Sequence, residues 1–465
     1  MALIGETQMS ELPIDARIDA EYHIGPGAAE RESIRKRGKP FSDCFLQIVH
    51  PGEFTREYQS SGHLFLRAQN VRPGRIEIRN PAYVSDKIYN SLPEALASAG
   101  DLLIVRTGAN VGDVAWVPIR YAGALVSSHT LRLIPQMDAP IHAIAAFFAS
   151  DLGQRVLTSV KTGGAQGQIN GSSLKTLHLP KLEVLETKCR ELLKEIDELT
   201  EQSERGYPEV ETELLDRLGW KELPSRPVGS SYEHNFGYLA TAARADAEFF
   251  HPQYTRLRTQ LTKRGTQAIG TFCPKPSRGV QPFLFETGDV IVIDSKAVRP
   301  QGVEPSPVER TTRAFYESPK NAKGRVHYGD VLLNSTGRGT LGRAACYQLN
   351  GLAVCDNHVA IVRPNSEVCL PEYLSLFLNS PPGLAQSERF QTGSSGQLEI
   401  YPEHIQQFLV FLPRQKNGAL DMAWQKRLVD KVKSATIAKL AARAKLEEAK
   451  QLVERSLSAL NGLLV

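Results

Sequence analysis

Several features that would assign this chain to a specialised class are missing from its sequence. No stretch of about 18 apolar residues occurs, so no membrane-spanning helix is expected. The first residues lack the basic head and apolar core of a secretory signal, and the six cysteines form no Cys-x-x-Cys pair. A disulfide scaffold and a zinc site are therefore not expected, whereas reduced thiols in the cytoplasm are.

The chain has neither a large excess of charge of one sign nor a clear catalytic motif. The 55 basic and 51 acidic residues leave a formal net charge of only +4, so binding to nucleic acid would need local basic patches. The 11 histidines form no metal-ligand cluster, and no Ser/His/Asp arrangement stands out. NPAY (Asn80 to Tyr83) comes near the motif that holds a flipped adenine in N6-methyltransferases, but it is one proline short and no cofactor loop precedes it. The sequence thus contains no convincing active site.

One glycine-rich stretch has the form of a nucleotide-binding loop. GRGTLG, inside GDVLLNSTGRGTLGR (Gly329 to Arg343), is a formal G-x-G-x-x-G. A dinucleotide loop needs all three glycines and a following helix. The related stretch GDLLIVRTGANVGD (Gly100 to Asp113) keeps only two of them, and AACYQL after Arg343 predicts a strand. We therefore predict a tight turn at a strand end, whose polar residues could form a contact surface.

This related stretch belongs to a duplication of the whole chain. ARIDAE (Ala16 to Glu21) recurs as ARADAE (Ala243 to Glu248), and six further matches follow in the same order at nearly one offset. They include KRG, VRP, the G-D and T-G pairs, the G-Q loops, and the histidines His129 and His358, which could be core hydrogen-bonders or loop contacts. The sequence predicts two whole globular units, far larger than solenoid repeats.

The pattern of short β-like runs, with a helix-like stretch late in each repeat, predicts an α/β (α+β) fold. We expect two tandem globular domains with twisted sheets, separated by two long antiparallel coiled-coil-like helices. The predicted regions are a first domain at 1–181, a central spacer helix region at 182–222, a second domain at 223–413, and a C-terminal spacer helix region at 414–465. A linker rich in Pro, Gly and Ser, LPSRPVGSSYEHN, begins at Leu223.

Each repeat ends in a charged helical stretch with an apolar seam. Apolar residues from Leu182 to Leu199 recur at spacings of three and four, as in a heptad repeat, and Gly206 with Pro208 should kink or break that helix. We expect this seam to pack against a second one in the C-terminal helix; two separate surface helices are the alternative. The predicted packing residues are Leu185, Leu192, Ile196, Leu199, Leu428, Val432, Leu446 and Val453.

Basic and amide-bearing segments occur in both repeats. Arg, Asn and Gln read purine edges and Lys and Arg hold phosphates, although each such cluster alone also fits a solvated surface. The candidate DNA contacts are Lys36, Arg37, Arg67, Gln69, Asn70, Arg72, Arg106, Asn110, Gln166 and Gln168 in the first repeat, and Lys263, Arg264, Asn334, Arg338, Ser395 and Gln397 in the second. For Gln168 and Gln397 the alternative is that they brace their own loops.

This organisation resembles the specificity (S) subunit of type I restriction–modification systems over essentially the whole chain. The resemblance rests on the order domain, long helix, domain, long helix. It rests also on phrases that occur twice: the ARIDAEYH and ARADAEFF openings, the GDLL…TG…G and GDVL…TG…G turns, and the TGGAQGQIN and TGSSGQLEI loops. The expected break at Gly206 and Pro208 departs from the family pattern and puts the straightness of the first spacer in doubt.

The resemblance implies a non-catalytic reader of double-stranded DNA, in which each target-recognition domain contacts one half of a split target. The helices would dock two modification subunits, which bind S-adenosylmethionine and methylate adenine. Restriction subunits would add ATP- and Mg-dependent translocation and cleavage, and this chain itself would hold no cofactor. A first spacer of about 25 residues would span roughly 37 Å, close to one turn of DNA.

Two other functions remain open at this point. One is a DNA-reading subunit of another phage-defence or methylation complex. The other is an enzyme that binds a nucleotide at the glycine-rich loops.

Overall fold

The computed structural model describes residues 20–461 except 56, 79, 164–166, 224–232, 234–236, 238–243, 307 and 394–397. The chain divides into two compact units, one formed by Met1–Arg205 with Ile437–Val465 and the other by Gly206–Thr436. Both predicted helical regions are thereby divided between the units, and the four regions expected from the sequence stay a prediction.

The first unit mixes short strands and helices in the way that the sequence predicts. Its elements are α1 (Ala20–Ile24), α2 (Ala28–Arg37), β1 (Lys39–Pro40), β2 (Phe45–Val49), β3 (His63–Leu66), β4 (Val71–Arg72), β5 (Arg75–Ile76), β6 (Tyr83–Val84), α3 (Asp86–Ser91), β7 (Leu102–Val105), β8 (Val114–Trp116), β9 (Leu125–Val126), β10 (Thr130–Pro135), α4 (Ile141–Ala149), α5 (Asp151–Thr158), α6 (Gly171–Lys175), β11 (His178–Leu179) and the start of α7 (Glu186–Leu218).

An antiparallel sheet in the order β2-β10-β7-β8 is the centre of this unit. Every residue of β7 is buried, because both faces of the sheet are covered. Leu102 and Ile104 pack among the residues of α4 and α5, whereas Leu103 and Val105 pack toward β4, β5 and β9. A second, smaller sheet places β3 parallel to β9 and antiparallel to β6.

The second unit has a matching set of elements. They are α8 (Pro252–Thr262), β12 (Thr266–Ala268), β13 (Ser277–Arg278), β14 (Val290–Ile293), β15 (Val298–Arg299), β16 (Gly302–Val303), β17 (Arg310–Thr311), α9 (Arg313–Glu317), β18 (Arg325–Val326), β19 (Val331–Asn334), β20 (Ala344–Cys346), β21 (Ala353–Cys355), β22 (Val359–Val362), α10 (Pro371–Asn379), α11 (Pro381–Phe390), α12 (Pro402–Ile405), β23 (Leu409–Phe411) and the start of α13 (Met422–Asn461).

The topology of the first unit recurs in the second. The sheet order β13-β22-β19-β20 matches β2-β10-β7-β8 strand for strand, and β14 pairs in parallel with β21 as β3 does with β9. The hairpin β15–β16 corresponds to β4–β5, and the pair β12–β23 corresponds to β1–β11. The predicted duplication and the predicted fold class are therefore confirmed.

Two long helices supply part of the core of each unit. In the first unit, Leu192 and Ile196 of α7 share a buried cluster with Leu446 and Val453 of α13, while Leu185 and Leu199 pack at its edge. In the second unit, Leu428 is buried and Val432 half-buried, in a cluster with Val210 and Leu214 of α7. Within that unit the helices run antiparallel, since Arg217 pairs with Asp421 whereas Gly206 lies against Ala435.

The expected break in the first long helix is wrong. α7 continues for 33 residues through Gly206 and Pro208, a length of roughly 50 Å at about 1.5 Å per residue. Gly206 and the half-buried Tyr207 face packed neighbours, so tertiary contacts compensate for the weak helix propensity of the glycine and for the missing amide of the proline.

The six cysteines are all free and buried. Burial raises the pKa of Cys189, Cys273 and Cys346 to about 12, so these thiols stay protonated at neutral pH. In the described part of the chain, no helix is long and apolar enough to cross a membrane.

Candidate nucleic-acid interface

The loops that the sequence singles out meet at one place in the first unit. The main chain of Arg106, directly after β7, donates from N–H to the carbonyl of His129 across 2.9 Å and accepts from the N–H of Ile169 across 3.0 Å. Thr162 and Gln168 exchange two main-chain hydrogen bonds of 2.8 Å. The end of β7, the start of β10 and the G-Q turn thus form one hydrogen-bonded frame.

The same frame is built in the second unit. The N–H of Ser335, directly after β19, donates to His358 across 2.9 Å, and its carbonyl accepts from Ile400 across 2.8 Å. Thr392 and Glu399 exchange main-chain bonds of 2.8 and 2.9 Å. Structurally, Ser335 therefore corresponds to Arg106, and Glu399 corresponds to Gln168.

Polar side chains meet over this frame in the first unit. Arg106 donates through Nη2 to Oε1 of Gln168 across 3.1 Å, and its Nη1 contacts Nε2 of His50, the residue after β2. Burial and the Arg106 guanidinium lower the pKa of His50, so the imidazole is neutral at neutral pH. Within the described residues, Nε of Arg106 is buried without a hydrogen-bond partner. A neutral amide, an imidazole and a guanidinium are thus held together at the end of the sheet.

The second unit places different side chains at the equivalent point. Arg278, the last residue of β13, occupies the strand position of His50 and donates through Nη2 to Oε1 of Glu399 across 3.1 Å. Both side chains keep nearly a third of their surface exposed, at 28% and 29%. The ring of Tyr401 lies 5.8 Å from the Arg278 guanidinium. This site is an arginine–carboxylate pair rather than an arginine–amide pair.

A threonine–histidine pair accompanies each frame. Thr107 Oγ1 lies 2.7 Å from Nδ1 of His129, and Thr336 Oγ1 lies 2.5 Å from Nδ1 of His358. These bonds brace the loop after the strand in both units. They support the interpretation of His129 and His358 as structural hydrogen-bonders. In the first unit a cavity of about 280 Å³, lined by Glu53, Phe54, Phe65, Ser127, Ser128 and His129, opens beside this pair.

The glycine-rich loop is a turn between antiparallel strands. Gly337, Gly339 and Gly342 all have positive φ values, between 81° and 103°, and β20 follows as the predicted strand. Because no helix follows, the loop lacks the helix N-terminus that would hold a dinucleotide phosphate. Arg338 at its tip is exposed, and Asn110 is half-buried in the corresponding loop of the first unit.

Two predicted contact residues fill structural positions instead. Asn70 is 4% exposed; its Oδ1 accepts from the N–H of Arg67, and its Nδ2 donates to the carbonyl of Glu77. Asn334 is fully buried within β19, where its Nδ2 donates to the carbonyl of Ser295 across 2.8 Å. Both predictions are corrected, because a side chain enclosed in the protein cannot reach a base edge.

The neighbours of Asn70 lie away from the frame or on its margin. Arg72 lies in the hairpin β4–β5, whose tip packs against α7 and α13. Its Nη1 is 3.7 Å from Oδ2 of Asp113. Arg67 contacts the carbonyl of Asn80, and Gln69 is exposed. The structure does not bring these residues into the cluster of Arg106 and Gln168.

The basic segments lie at the C-terminal ends of α2 and α8. Lys36 and Arg37 are exposed at the end of α2, and Lys36 lies 3.8 Å from Glu32. Lys263 and Arg264 are exposed after α8, and the Arg264 guanidinium lies against Gly219 at the end of α7. These positions suit phosphate contacts or, for Arg264, interaction with the helix C-terminus. Gln166, Ser395 and Gln397 lie outside the described residues.

His50, Arg278 and Glu399 were missed by the sequence reasoning. Matching the G-Q letters pairs Gln168 with Gln397, whereas the main-chain bonds pair it with Glu399. The recurring Thr-Gly and the isoleucine after each paired residue, Ile169 and Ile400, could have indicated this alignment. Among the described residues, no group of three or more His, Cys, Asp or Glu side chains could hold a metal ion.

Comparison with solved structures finds similar chains over most of this sequence. The S subunit of a type I restriction-modification system from M. genitalium matches with 11% identity and a TM-score of 0.48, covering 90% of this chain and 93% of that chain. A structure concerning complex assembly and conformational transition of the type I R-M system matches with 16% identity and a TM-score of 0.32, covering 92% and 98%. The HsdS subunit from Thermoanaerobacter tengcongensis matches with 16% identity and a TM-score of 0.28, covering 90% and 97%.

A scan against protein-family models and a search of the curated proteins find no match.

Proposed function

We propose that this chain is the DNA-reading specificity subunit of a type I restriction–modification complex, with one unit for each half of a bipartite target. The observation that carries the proposal is the repetition of one polar frame, at the same strand ends, in two units whose central sheets share one strand order. A reader of a split target needs the same scaffold twice with different side chains on it, and this chain has that combination.

The chemistry of the frames suits recognition rather than catalysis. Arginine and glutamine bond to purine edges through two atoms at once, and glutamate accepts from the amino group of cytosine. Exposed lysines and arginines at the ends of α2 and α8 add sequence-independent phosphate contacts. In this proposal the chain itself is non-catalytic and acts in the cytoplasm.

The long helices provide the docking surface for partners. Two modification subunits bind along α7 and α13 and carry S-adenosylmethionine, and restriction subunits carry ATP and Mg. The exposed apolar side chains Ile437 and Leu440 on α13, at 65% and 57% exposure, support a docking role, because such residues gain from being covered.

Methylome sequencing of cells with and without this chain, co-expressed with a type I modification subunit, tests the proposal. A bipartite adenine-methylated motif that depends on this chain is the expected result. Exchange of residues 1–180 for another recognition domain should change one half of the motif only. A change in both halves, or methylation by the purified chain alone with S-adenosylmethionine, would contradict it.

A further inference from the structure

The equivalence of Gln168 and Glu399 extends the proposed function, on which this inference rests. Both residues exchange main-chain bonds with a threonine, and both precede an isoleucine bonded to the residue after the central strand. Their side chains therefore leave the same point of the same frame in the two units. What differs is their chemistry, since one ends in a neutral amide and the other in a carboxylate.

An arginine holds each of these side chains, but it comes from a different strand. In the first unit Arg106 follows the central strand β7, and in the second Arg278 ends the edge strand β13. The donated bond is 3.1 Å long in both cases and uses Nη2 in both. The two arginines come from different strands but make the same hydrogen bond. What the two sites share is therefore the position of the side chain that accepts this bond, Gln168 or Glu399.

Neither site has its hydrogen-bonding capacity filled. Within the described residues, Nε of Arg106 and Nε of Arg278 are both buried without a partner, and the carboxylate of Glu399 and the amide of Gln168 are only half-buried. A purely structural brace would be expected to satisfy such donors internally, because an N–H group that is buried without a hydrogen-bond partner loses its bonds to water and gains none in return. A ligand that adds hydrogen bonds at this point would complete both sites.

We propose that Gln168 and Glu399 are equivalent specificity-determining residues, each positioned by an arginine to contact one base pair of its half-site. The Gln168 amide both donates and accepts, which matches the N6 and N7 edge of adenine. The Glu399 carboxylate only accepts, which matches the N4 amino group of cytosine. The two units thus read chemically different base pairs through one scaffold position.

The test uses the complete chain co-expressed with its modification subunit and compares methylated motifs. Glu399→Gln should change or relax one position in one half of the motif, and Gln168→Glu should do so in the other half. A tenfold or greater drop in methylation at the original base, with the rest of the motif unchanged, is the expected size. Glu403→Gln is the matched control, because Glu403 is a 58% exposed carboxylate of the same unit that pairs with Lys275 and not with Arg278.

The outcomes separate this inference from the proposed function. If the unsubstituted chain directs a bipartite motif and both variants keep it unchanged, the inference is overturned and the proposed function stands. If the variants weaken both halves alike and lower the melting temperature of the chain, Gln168 and Glu399 are structural braces and the inference is again overturned. If the unsubstituted chain directs no motif and binds no DNA, both fail.

Discussion

Gly206 of α7 lies so close to Ala435 of α13 that a Cβ atom built on the glycine would approach the alanine Cβ to 2.5 Å. This contact explains why a glycine is tolerated inside a long helix. Gly206→Ala alone should destabilise the chain by about 1–3 kcal/mol through overpacking, despite the better helix propensity of alanine. Combining it with Ala435→Gly moves the methyl group to the other helix and should recover most of that loss in urea unfolding. Additive effects of the two substitutions would contradict the close contact.

Glu186 in the first turn of α7 accepts from the N–H groups of His142 and Ala143, at 3.0 and 3.1 Å, and lies 2.7 Å from Nδ1 of His142. Burial raises the pKa of this carboxyl, but the hydrogen bonds from His142 and Ala143 outweigh it and hold the pKa below its ordinary value. The stabilisation is therefore complete above the ordinary carboxyl pKa and is lost as the pH falls through the lowered value.

Substitution of this residue gives the corresponding pH-dependent prediction. Glu186→Gln should lower the free energy of unfolding by about 1–3 kcal/mol at pH 7, because the main-chain N–H groups of His142 and Ala143 lose a charged acceptor. The difference from the unsubstituted chain should shrink as the pH is lowered toward 3. Glu191→Gln, at a more exposed position of the same helix, is the control and should be neutral. A difference that persists undiminished in acid would show that Glu186 acts through its shape and not its charge.

Leu446 on α13 is 6% exposed and packs against Gly74 and Leu193, whereas Leu440 on the same helix is 57% exposed. Leu446→Ala should therefore lower the free energy of unfolding by about 2–5 kcal/mol, through lost burial and the cavity left behind. Leu440→Ala should leave the unfolding of the free chain nearly unchanged. Equal effects of the two substitutions on the urea midpoint would count against the packing of the two helices.

The buried thiols predict a loss of stability at alkaline pH. Burial raises the pKa of Cys189, Cys273 and Cys346 to about 12, so the native state keeps these protons while the unfolded chain loses them. Their contribution is fully present below the ordinary thiol pKa and decreases as the pH rises above it. The melting temperature should fall between pH 8 and 10. At pH 8 a thiol reagent should react slowly with the native chain, whereas in urea it should react quickly with all six cysteines. Rapid labelling of the native chain would refute their burial.

Lys36 is 68% exposed at the end of α2, as expected for a side chain that contacts a phosphate. In the assembled complex, Lys36→Ala should weaken binding to all DNA sequences alike and reduce the slope of log affinity against log salt by about one unit. Lys87→Ala, at an exposed position of α3 beside an aspartate, serves as the control. A loss confined to one target sequence would assign Lys36 to base reading instead.

Much of the architecture could be predicted from the chain itself. Self-similarity between the halves revealed two units, and the apolar seams of Leu192 and Leu446 revealed two packed helices, because such periodicity depends only on local spacing. The strand after Gly342 could also be predicted from the sequence, because its apolar residues follow glycines that are typical of a turn. These features arise from neighbours in sequence, so no knowledge of distant contacts is needed to infer them.

The polar frames were decided by tertiary structure. His50, Arg106 and Gln168 are separated by more than 50 residues from one another. The pairing of β2, β10 and β7 brings His50 and Arg106 together, and the bond from Ile169 N–H to the Arg106 carbonyl adds Gln168. The burial of Asn334 and the continuation of α7 through Pro208 have the same origin, because packing from other elements outweighs local propensity. The amino-acid sequence by itself determined that there are two units and which segments build them, whereas the folded sheets determined which polar side chains meet.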